Sequence, residues 1–141
     1  MLQRFATQRQ MEIGLGILRI ATGLVFAAHG YQKFFTMGIE GTTGFFTGLG
    51  IPLPGIMAIL IATLELVGGL AFAAGLFTRL LGIGLALDVA GAIFFFHRGF
   101  FVPKGVEFVG TLMFAAIALS LGGPGAFSID GMLRPKSGPR S

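Results

Sequence analysis

The sequence predicts an all-α protein, a polytopic membrane four-helix bundle with a polar interior. Of its 141 residues, 54% are hydrophobic and 11% are charged, and the mean hydropathy of +0.86 lies outside the range of ordinary soluble domains. Four long apolar segments fill most of the chain, and charged residues interrupt or border them at Arg19, Glu65, Asp88 and Glu107. We therefore expect lipid outside the bundle and these charges inside it.

The four apolar segments have the length of transmembrane helices. A span needs roughly 20 apolar residues, at about 1.5 Å each, to cross a hydrocarbon core of about 30 Å. We expect the spans at Ile13–Phe35, Pro54–Phe77, Arg79–Phe96 and Val106–Gly122. The second and third spans meet at Thr78, so they must form a tight antiparallel hairpin. Pro54 suits the first turn of its helix, where a missing N–H has little effect.

The residues outside these spans divide the chain into three parts. Residues 1–12 are a polar N-terminal segment, residues 13–133 the four-helix transmembrane domain, and residues 134–141 a basic flexible tail. Between the first two spans, five glycines break regular structure while Phe45 and Phe46 remain apolar. This pattern favours an interfacial or re-entrant segment whose phenylalanine pair covers the outer mouth of the bundle. Ser128 and Asp130 are expected to be turn or capping residues.

Basic residues predict the orientation in the membrane. Six flank one side and three the other: Arg4, Arg9, Arg79, Arg134, Lys136 and Arg140 against Lys33, Arg98 and Lys104. By the positive-inside rule, both termini and the hairpin around Arg79 face the cytoplasm, in a multi-pass protein of the cytoplasmic membrane. The first apolar stretch is too long for a signal peptide and contains Arg19, so we expect it to be retained.

Several classes of chemistry are disfavoured by the sequence. There is no cysteine, so thiol relays, disulfide exchange and cysteine-ligated metal clusters are excluded. Nucleotide-binding and nucleophile-elbow motifs are missing, and the basic residues do not form a nucleic-acid-binding surface. No metal site is expected, because the two histidines lack a partner ligand one helical turn away.

Small residues recur along the predicted spans. In a bilayer, helices pack through such residues because lipid removes the hydrophobic drive for association. The stripe Arg19, Gly23, Phe26, Gly30 and Lys33 lies along one face of the first helix at 100° per residue. The other charges likewise share faces with small residues, among them Gly69, Gly84 and Ala118. These faces are expected to point inward, or to build a homo-oligomer.

Six polar residues are candidates for a ligand-binding site: His29, Lys33, Glu65, Asp88, His97 and Glu107. Counted from the outer ends of the predicted spans, their depths in the membrane predict an outward-opening polar cavity. A structural ion pair between Arg19 and Glu65 is expected to form its floor. Intramembrane carboxylates are expensive, about 2.5–3.5 kcal/mol at the helix centre on insertion scales, so they must be paired, protonated or hydrated. The alternatives are structural. Arg19 could anchor to headgroups, and Glu107 could complement its helix dipole.

Three stretches of the sequence resemble the DoxX family of small four-helix membrane proteins. They are LRIATGLVFAAHGYQKFF, TLELVGGLAFAAGLFTRLLG and FFVPKGVEFVGTLMFAAIALSLGGPGAFSIDGML, which together run from Leu18 to Leu133. The resemblance is carried by Arg19, His29-Gly30 with Lys33, Glu65 with its double glycine, Thr78-Arg79, Glu107 and the ending Gly123 to Asp130. It implies a link to membrane oxidoreductase complexes, including quinol oxidase and thiosulfate:quinone oxidoreductase, but it assigns no catalytic residues.

The leading functional hypothesis is a redox-associated accessory subunit that binds a quinone or similar amphipathic molecule. Histidine and carboxylate groups suit quinone chemistry, because reduction to quinol takes up protons at the carbonyl oxygens. No other cofactor is evident, and the expected partners are lipid and proteins of a redox complex. Two alternatives use the same residues: a small transporter or permeation protein, and a purely structural subunit of a membrane complex.

Overall fold

The fold of the chain is all-α, as predicted, in a computed structural model that describes residues 6–96 and 105–134. Within those residues there are no strands. The helices are α1 (Gln8–Thr36), α2 (Gly38–Gly48), α3 (Pro54–Ala73), α4 (Thr78–Phe95), α5 (Val106–Gly122) and α6 (Ile129–Leu133). Two of them contain a π-helical turn, in which each carbonyl bonds one residue further along than in an α-helix: Gln32–Thr36 ends α1, and Leu64–Gly68 lies inside α3.

Three of the helices, α1, α3 and α4, are long and apolar enough to cross a membrane. The fourth apolar helix, α5, has 17 residues and is slightly shorter than a typical span. The outward faces of these helices carry large apolar side chains, such as Ile17, Leu80 and Leu121, which are 64%, 69% and 75% exposed. Exposed apolar surface of this extent is suited to lipid rather than water.

The first helix begins earlier than predicted, at Gln8 instead of Ile13. Thr7 caps it: the hydroxyl oxygen of Thr7 accepts from the main-chain N–H of Gln10, and the Gln10 side chain accepts from the N–H of Thr7. This reciprocal capping box satisfies two N–H groups that a helix start leaves without partners. Part of the polar N-terminal segment is therefore the first turn of α1.

A short hairpin joins α3 to α4, as expected from the sequence. Helix α3 ends at Ala73, before the predicted Phe77, because Gly75 adopts a left-handed conformation with φ +75° that terminates the helix. Helix α4 starts at Thr78, one residue before the predicted start. The C-terminal segment returns to this hairpin: the N–H groups of Ile129 and Asp130 donate to the carbonyls of Ala74 and Gly75.

The bundle therefore has two distinct ends. The start of α1, the α3–α4 connection, the end of α5 and α6 lie together at what we call the hairpin end; the N–H of Ala126 donates to the Glu12 carbonyl there. The end of α1, helix α2 and the start of α3 lie at the other end, which we call the α2 end. The buried core between them contains Phe26, Phe72, Leu85, Ala86, Val89, Ala116 and Leu119.

Helices α1 and α3 pack backbone against backbone. A Cβ atom at Gly23 would lie 2.5 Å from the main-chain nitrogen of Ala73, and one at Gly69 would lie 2.6 Å from that of Ala27. A Cβ at Gly30 would overlap the main chain of Leu66. The small-residue stripe of α1 is therefore a packing surface, as predicted. Three further glycines of the predicted spans, Gly14, Gly91 and Gly110, are not packed in this way: beyond the backbone of its own helix, an added Cβ would meet no atom of a described residue within 4 Å.

Helices α4 and α5 form the other close pair. A Cβ at Gly82 would come within 2.9 Å of the carbonyl oxygen of Ala116. The Arg79 guanidinium donates to the carbonyls of Ser120 and Leu121, and the Ser120 hydroxyl donates to the Arg79 carbonyl. Arg79 thus satisfies carbonyls at the end of α5, where a positive charge also complements the helix dipole.

The segment between the first two spans contains an 11-residue helix, α2. Its position is fixed by Thr42, which is fully buried and whose single hydroxyl proton is shared between the carbonyls of Lys33 and Gly38. Phe46 is buried, and the ring of Phe45 meets that of Phe96 edge to face at 5.0 Å. Helix α2 therefore links the end of α1 to the end of α4.

Candidate functional site

The centre of the candidate site is an ion pair between Lys33 and Glu65. The Lys33 ammonium donates to Glu65 Oε2 at 2.6 Å, and both side chains are largely buried, at 18% and 9% exposed. Lys33 lies in the π-helical turn of α1 and Glu65 in that of α3. Such turns often occur at functional sites, because they change the direction of side chains within a helix. The close approach at Gly30 brings the two turns together.

Asp88 extends this pair across the bundle. It lies on α4, and its carboxyl group interacts with the carboxyl of Glu65 and with the charge of Lys33. One ammonium neutralises one carboxylate, so the cluster of Lys33, Glu65 and Asp88 is neutral when one carboxyl group carries a proton. A low-dielectric interior favours this neutral arrangement over a net charge. The cluster therefore brings together one ammonium and two carboxyl groups from three helices.

A cavity of about 730 Å³ adjoins the cluster. This volume is within the range of about 300–1,000 Å³ that small-molecule sites occupy. Most of its wall is apolar, with Phe26, Phe46 and Leu112 among the lining side chains. The polar lining comes from His29, Gln32, Lys33, Thr42, Glu65 and Asp88. The cavity thus combines a hydrophobic wall with a few convergent polar groups, the usual composition of a ligand site.

The ring of His29, which lines this cavity, is held in one orientation. Its Nδ1 lies 2.8 Å from the Val25 carbonyl oxygen, one helical turn earlier. Because a carbonyl only accepts, Nδ1 must carry the proton, and in a neutral ring Nε2 is then an acceptor. The ring also lies against Phe108 of α5, with centroids 6.0 Å apart. His29 is therefore fixed in orientation, with a defined tautomer.

The expected ion pair between Arg19 and Glu65 does not form. Arg19 is fully buried at the hairpin end, and within the described residues its guanidinium donates to the main-chain carbonyls of Ala73, Pro124, Ala126 and Phe127. Glu65 pairs with Lys33 instead. The planar guanidinium has five donors in a fixed fork, which suits several carbonyls at once. Arg19 thus joins α1 and α3 to the C-terminal segment and takes no part in the cavity.

Asp130 and Ser128 are capping residues, as predicted. Asp130 accepts from the N–H groups of Phe77 and Thr78 at 2.9 and 2.8 Å, which caps the start of α4 across the chain. Burial works against its charged form, but the N–H groups of Thr78 and Phe77 and the charge of Arg19 outweigh it and lower the pKa of Asp130. Ser128 caps α6 by accepting from the N–H of Gly131.

Two of the six candidate ligand-binding residues are not placed in the cluster. His97 lies outside the described residues. Glu107 lies in the first turn of α5, where its charge is favourable for the helix dipole, and it is not among the described residues that line the cavity. The structure therefore brings four of the six together: His29, Lys33, Glu65 and Asp88.

Gln32 and Thr42 also line the cavity, although neither was among the predicted site residues. Gln32 begins the π-helical turn next to Lys33, and Thr42 belongs to a helix that was expected to be irregular. A search for polar residues beside the candidate charges would have found Gln32. Across the described ranges 6–96 and 105–134, no group of three His, Cys, Asp or Glu side chains could hold a metal ion.

Comparison with known proteins gives a consistent result. The DoxX family profile matches residues 14–98. "Putative oxidoreductase CatD" of Bacillus subtilis (strain 168) is 38% identical over 122 residues, which cover 86% of this chain and 88% of that protein. Among the solved structures, none matches.

Two relatives come from Escherichia coli (strain K12). "Inner membrane protein YqjF" is 32% identical over 133 residues, covering 89% of this chain and 95% of that protein. "Inner membrane protein YphA" is 30% identical over 122 residues, covering 81% of this chain and 86% of that protein. The similarity therefore extends over most of the length of each protein and includes the segments that carry the cavity.

Proposed function

Because the chain belongs to the DoxX family and is a multi-pass protein of the cytoplasmic membrane, we propose that it is a redox-associated membrane protein that binds a quinone-type amphipathic ligand. The observation that carries this proposal is the cavity beside Lys33, Glu65 and Asp88, which is apolar except for a few hydrogen-bonding groups. A relative named as an oxidoreductase supports the redox association.

The polar groups of the cavity can hydrogen-bond to the oxygens of a quinone or quinol ring. Lys33 is a donor for a carbonyl oxygen, and His29 Nε2 is an acceptor for a hydroxyl group. Asp88 and Glu65 together can hold one proton close to Lys33. A bound quinone would supply reversible uptake of electrons and protons at its carbonyl oxygens. The residues of this chain would orient the ring, hold a proton beside it and limit access of water.

Electrons would come from a partner protein, so we propose an accessory role within a redox complex. The chain has no cysteine, and a thiol of its own cannot act as the donor. We further propose that the α2 end faces outward and the hairpin end faces the cytoplasm. Among the described residues, Arg9, Arg79 and Arg134 lie at the hairpin end, whereas Lys33 at the α2 end is paired with Glu65. This distribution follows the positive-inside rule.

Ligand binding is tested with decylubiquinone added to the full chain in lipid nanodiscs. Affinity is measured by isothermal titration calorimetry and thermal unfolding by circular dichroism. A ligand at about 100 times its Kd stabilises the folded state by about 2.7 kcal/mol, so the unfolding temperature of the wild type should rise. Asp88→Leu and His29→Phe should weaken binding by about tenfold, since each removes one hydrogen-bonding group from the wall.

The matched control is Glu40→Gln, which neutralises an exposed carboxylate of α2 outside the cavity lining. It should bind decylubiquinone like the wild type. If neither the wild type nor any variant binds decylubiquinone, the proposed function is wrong. If the wild type then conducts protons into liposomes and Glu65→Gln does not, the protein is a permeation protein. Loss of stability in the cavity variants, with neither binding nor flux, would identify a structural subunit.

A further inference from the structure

The cavity reaches the lipid-facing surface between α3 and α4. These two helices pack against each other at the hairpin end, where Gly68 of α3 faces Leu81 of α4. Among the described residues, the first half of α3, Pro54–Thr63, packs mainly against α2 and α1 instead of α4. The helices therefore separate toward the α2 end, and the cavity occupies the space between them.

The edges of this opening are apolar and exposed. Leu60 of α3 and Leu87 of α4 both line the cavity, yet they are 52% and 69% exposed. A residue that lines a cavity and also faces the surrounding lipid lies at its mouth. We call the opening bordered by Leu60, Leu64, Gly84, Leu87 and Gly91 the lateral portal.

Glycines keep the α4 side of the lateral portal open. Gly84 and Gly91 are seven residues apart, so they lie on the same face of α4, about 20° from exact alignment. A Cβ at Gly91 would meet no atom of a described residue within 4 Å, and one at Gly84 would meet only the side chain of Leu64, at 3.6 Å. Neither glycine is needed for close helix packing. Larger side chains at these positions would extend into the portal.

The charged cluster lies directly inside the lateral portal. Glu65 follows Leu64 in α3 and Asp88 follows Leu87 in α4, and all four residues line the same cavity. A shallow apolar groove continues from Leu60 and Leu64 along the outer face of α3, past Ile59 and Ile56. The order from inside to outside is therefore a hydrogen-bonding cluster, an apolar mouth and an apolar groove.

We propose that the ligand enters from the bilayer through the lateral portal and keeps its hydrocarbon tail there while its polar ring contacts the cluster. This inference rests on the proposed function and specifies the substrate class: a lipid-dissolved quinone with a long chain, as opposed to a water-soluble quinone. The tail adds affinity in proportion to the apolar contacts that it makes in the portal and groove.

The test compares two probes that share a ring: decylubiquinone, and 2,3-dimethoxy-5-methyl-1,4-benzoquinone, which has no tail. Gly91→Leu and Gly84→Leu should weaken binding of decylubiquinone by about tenfold and leave the tailless probe unchanged, because only the tail occupies the portal. The matched control is Gly14→Leu, also a glycine with open space around it but on α1 away from the cavity. It should change neither affinity.

The possible results separate the two proposals. If neither probe binds the wild type, the proposed function is wrong. If both probes bind but the portal variants change both affinities equally, or change neither, the proposed role of the lateral portal is wrong. Binding of the ring at the cluster is then still supported. A decylubiquinone derivative with a diazirine at the end of its tail gives a test without substitutions. Crosslinks within residues 56–64 support the portal, and crosslinks confined to α2 or α5 overturn it.

Discussion

Arg19 shows how a buried charge can be accommodated without a carboxylate partner. Its guanidinium donates to four main-chain carbonyls within the described residues, and three of these belong to the C-terminal segment. Those carbonyls follow the end of α5, where no helical N–H groups are available to them. Arg19 thus satisfies several buried acceptors at once and holds the C-terminal segment against α1.

We predict that Arg19→Lys lowers the free energy of unfolding by at least about 2 kcal/mol. Lysine keeps the charge, but its compact ammonium cannot reach all four carbonyls, and each buried acceptor left without a partner costs about 1–3 kcal/mol. Arg9→Lys, at an exposed position, should stay within about 0.5 kcal/mol of the wild type. Thermal unfolding in detergent measures both. Equal unfolding temperatures would show that the carbonyl contacts do not matter.

Lys33 and Glu65 illustrate a residue pair that the sequence could not assign. Periodicity along each helix places both residues on inward faces, but it does not give the rotation of one helix relative to another. The π-helical turns that carry both residues add a further change in direction. Glu65 was therefore expected to pair with Arg19, whereas the structure pairs it with Lys33 at 2.6 Å.

At the scale of elements, the contact between α1 and α3 determines whether the cluster can form. Lys33 comes from α1 and Glu65 from α3, and the two helices touch through Gly23, Gly30 and Gly69. Close backbone approach in lipid depends on such small residues, because packing contacts replace the hydrophobic effect there. Any side chain that separates these helices should also separate the ion pair.

We predict that Gly69→Ala destabilises the bundle by about 1–3 kcal/mol, the usual cost of overpacking. The added Cβ would lie 2.6 Å from the main-chain nitrogen of Ala27, and a main-chain atom cannot move aside as a side chain can. Gly14→Ala serves as the control, since no atom of a described residue lies within 4 Å of its Cβ. The unfolding temperature of Gly69→Ala should be clearly lower than that of Gly14→Ala. Similar values would contradict the close packing.

The cap of α4 by Asp130 leads to a prediction about pH. Because the folded pKa of Asp130 lies below its ordinary value of about 3.9, the ionised cap stabilises the fold fully above that value. The stabilisation is lost as the pH falls through the lowered folded pKa. At pH 7, Asp130→Asn should be less stable by about 1 kcal/mol, the typical contribution of a helix cap.

This difference between wild type and Asp130→Asn should disappear on acidification, since a protonated Asp130 is also neutral. Thermal unfolding measured from pH 7 down to about pH 2 checks that the difference narrows as the pH falls. Glu12→Gln, at an exposed carboxylate of α1, should not show a difference of this size. A gap that persists unchanged at the acidic end would mean that the Asp130 charge does not stabilise the start of α4.

At the scale of the whole molecule, the two ends of the bundle differ in what they contain. The hairpin end is closed by the hydrogen bonds of Arg19, Arg79 and Asp130. The α2 end contains the cavity, with Phe45 and Phe46 in its wall. A ligand bound there would lie beside the ion pair of Lys33 and Glu65. This difference makes the orientation of the bundle important for function.

We predict that the α2 end faces outward. The chain contains no cysteine, so single substitutions serve as unambiguous reporters. Thr47→Cys in α2 should react with a membrane-impermeant maleimide in intact cells, whereas Ala6→Cys, just before α1, should react only after permeabilisation. Both positions are exposed. The reverse labelling pattern would place the hairpin end outside and refute the orientation.

Much of the architecture was predictable from local sequence. The bounds of α5, Val106–Gly122, match the expectation, because an apolar run bordered by glycines marks both ends. The predicted start of α1 was five residues too late, although Thr7 and Gln10 have the spacing of a capping box. Helix α2 was expected to be irregular because glycine weakens isolated helices, but contacts with α1 and α3 stabilise it.

Hydropathy and periodicity by themselves determined that this is an all-α membrane protein with its charges inside, because lipid requires long apolar helices and excludes unpaired charge. Only the tertiary structure decided which charges meet. Helix rotation, two π-helical turns and the approach at Gly30 bring Lys33 to Glu65, while the returning C-terminal segment takes Arg19. These partners lie far apart along the chain, and packing between helices, which local sequence does not encode, sets their distances.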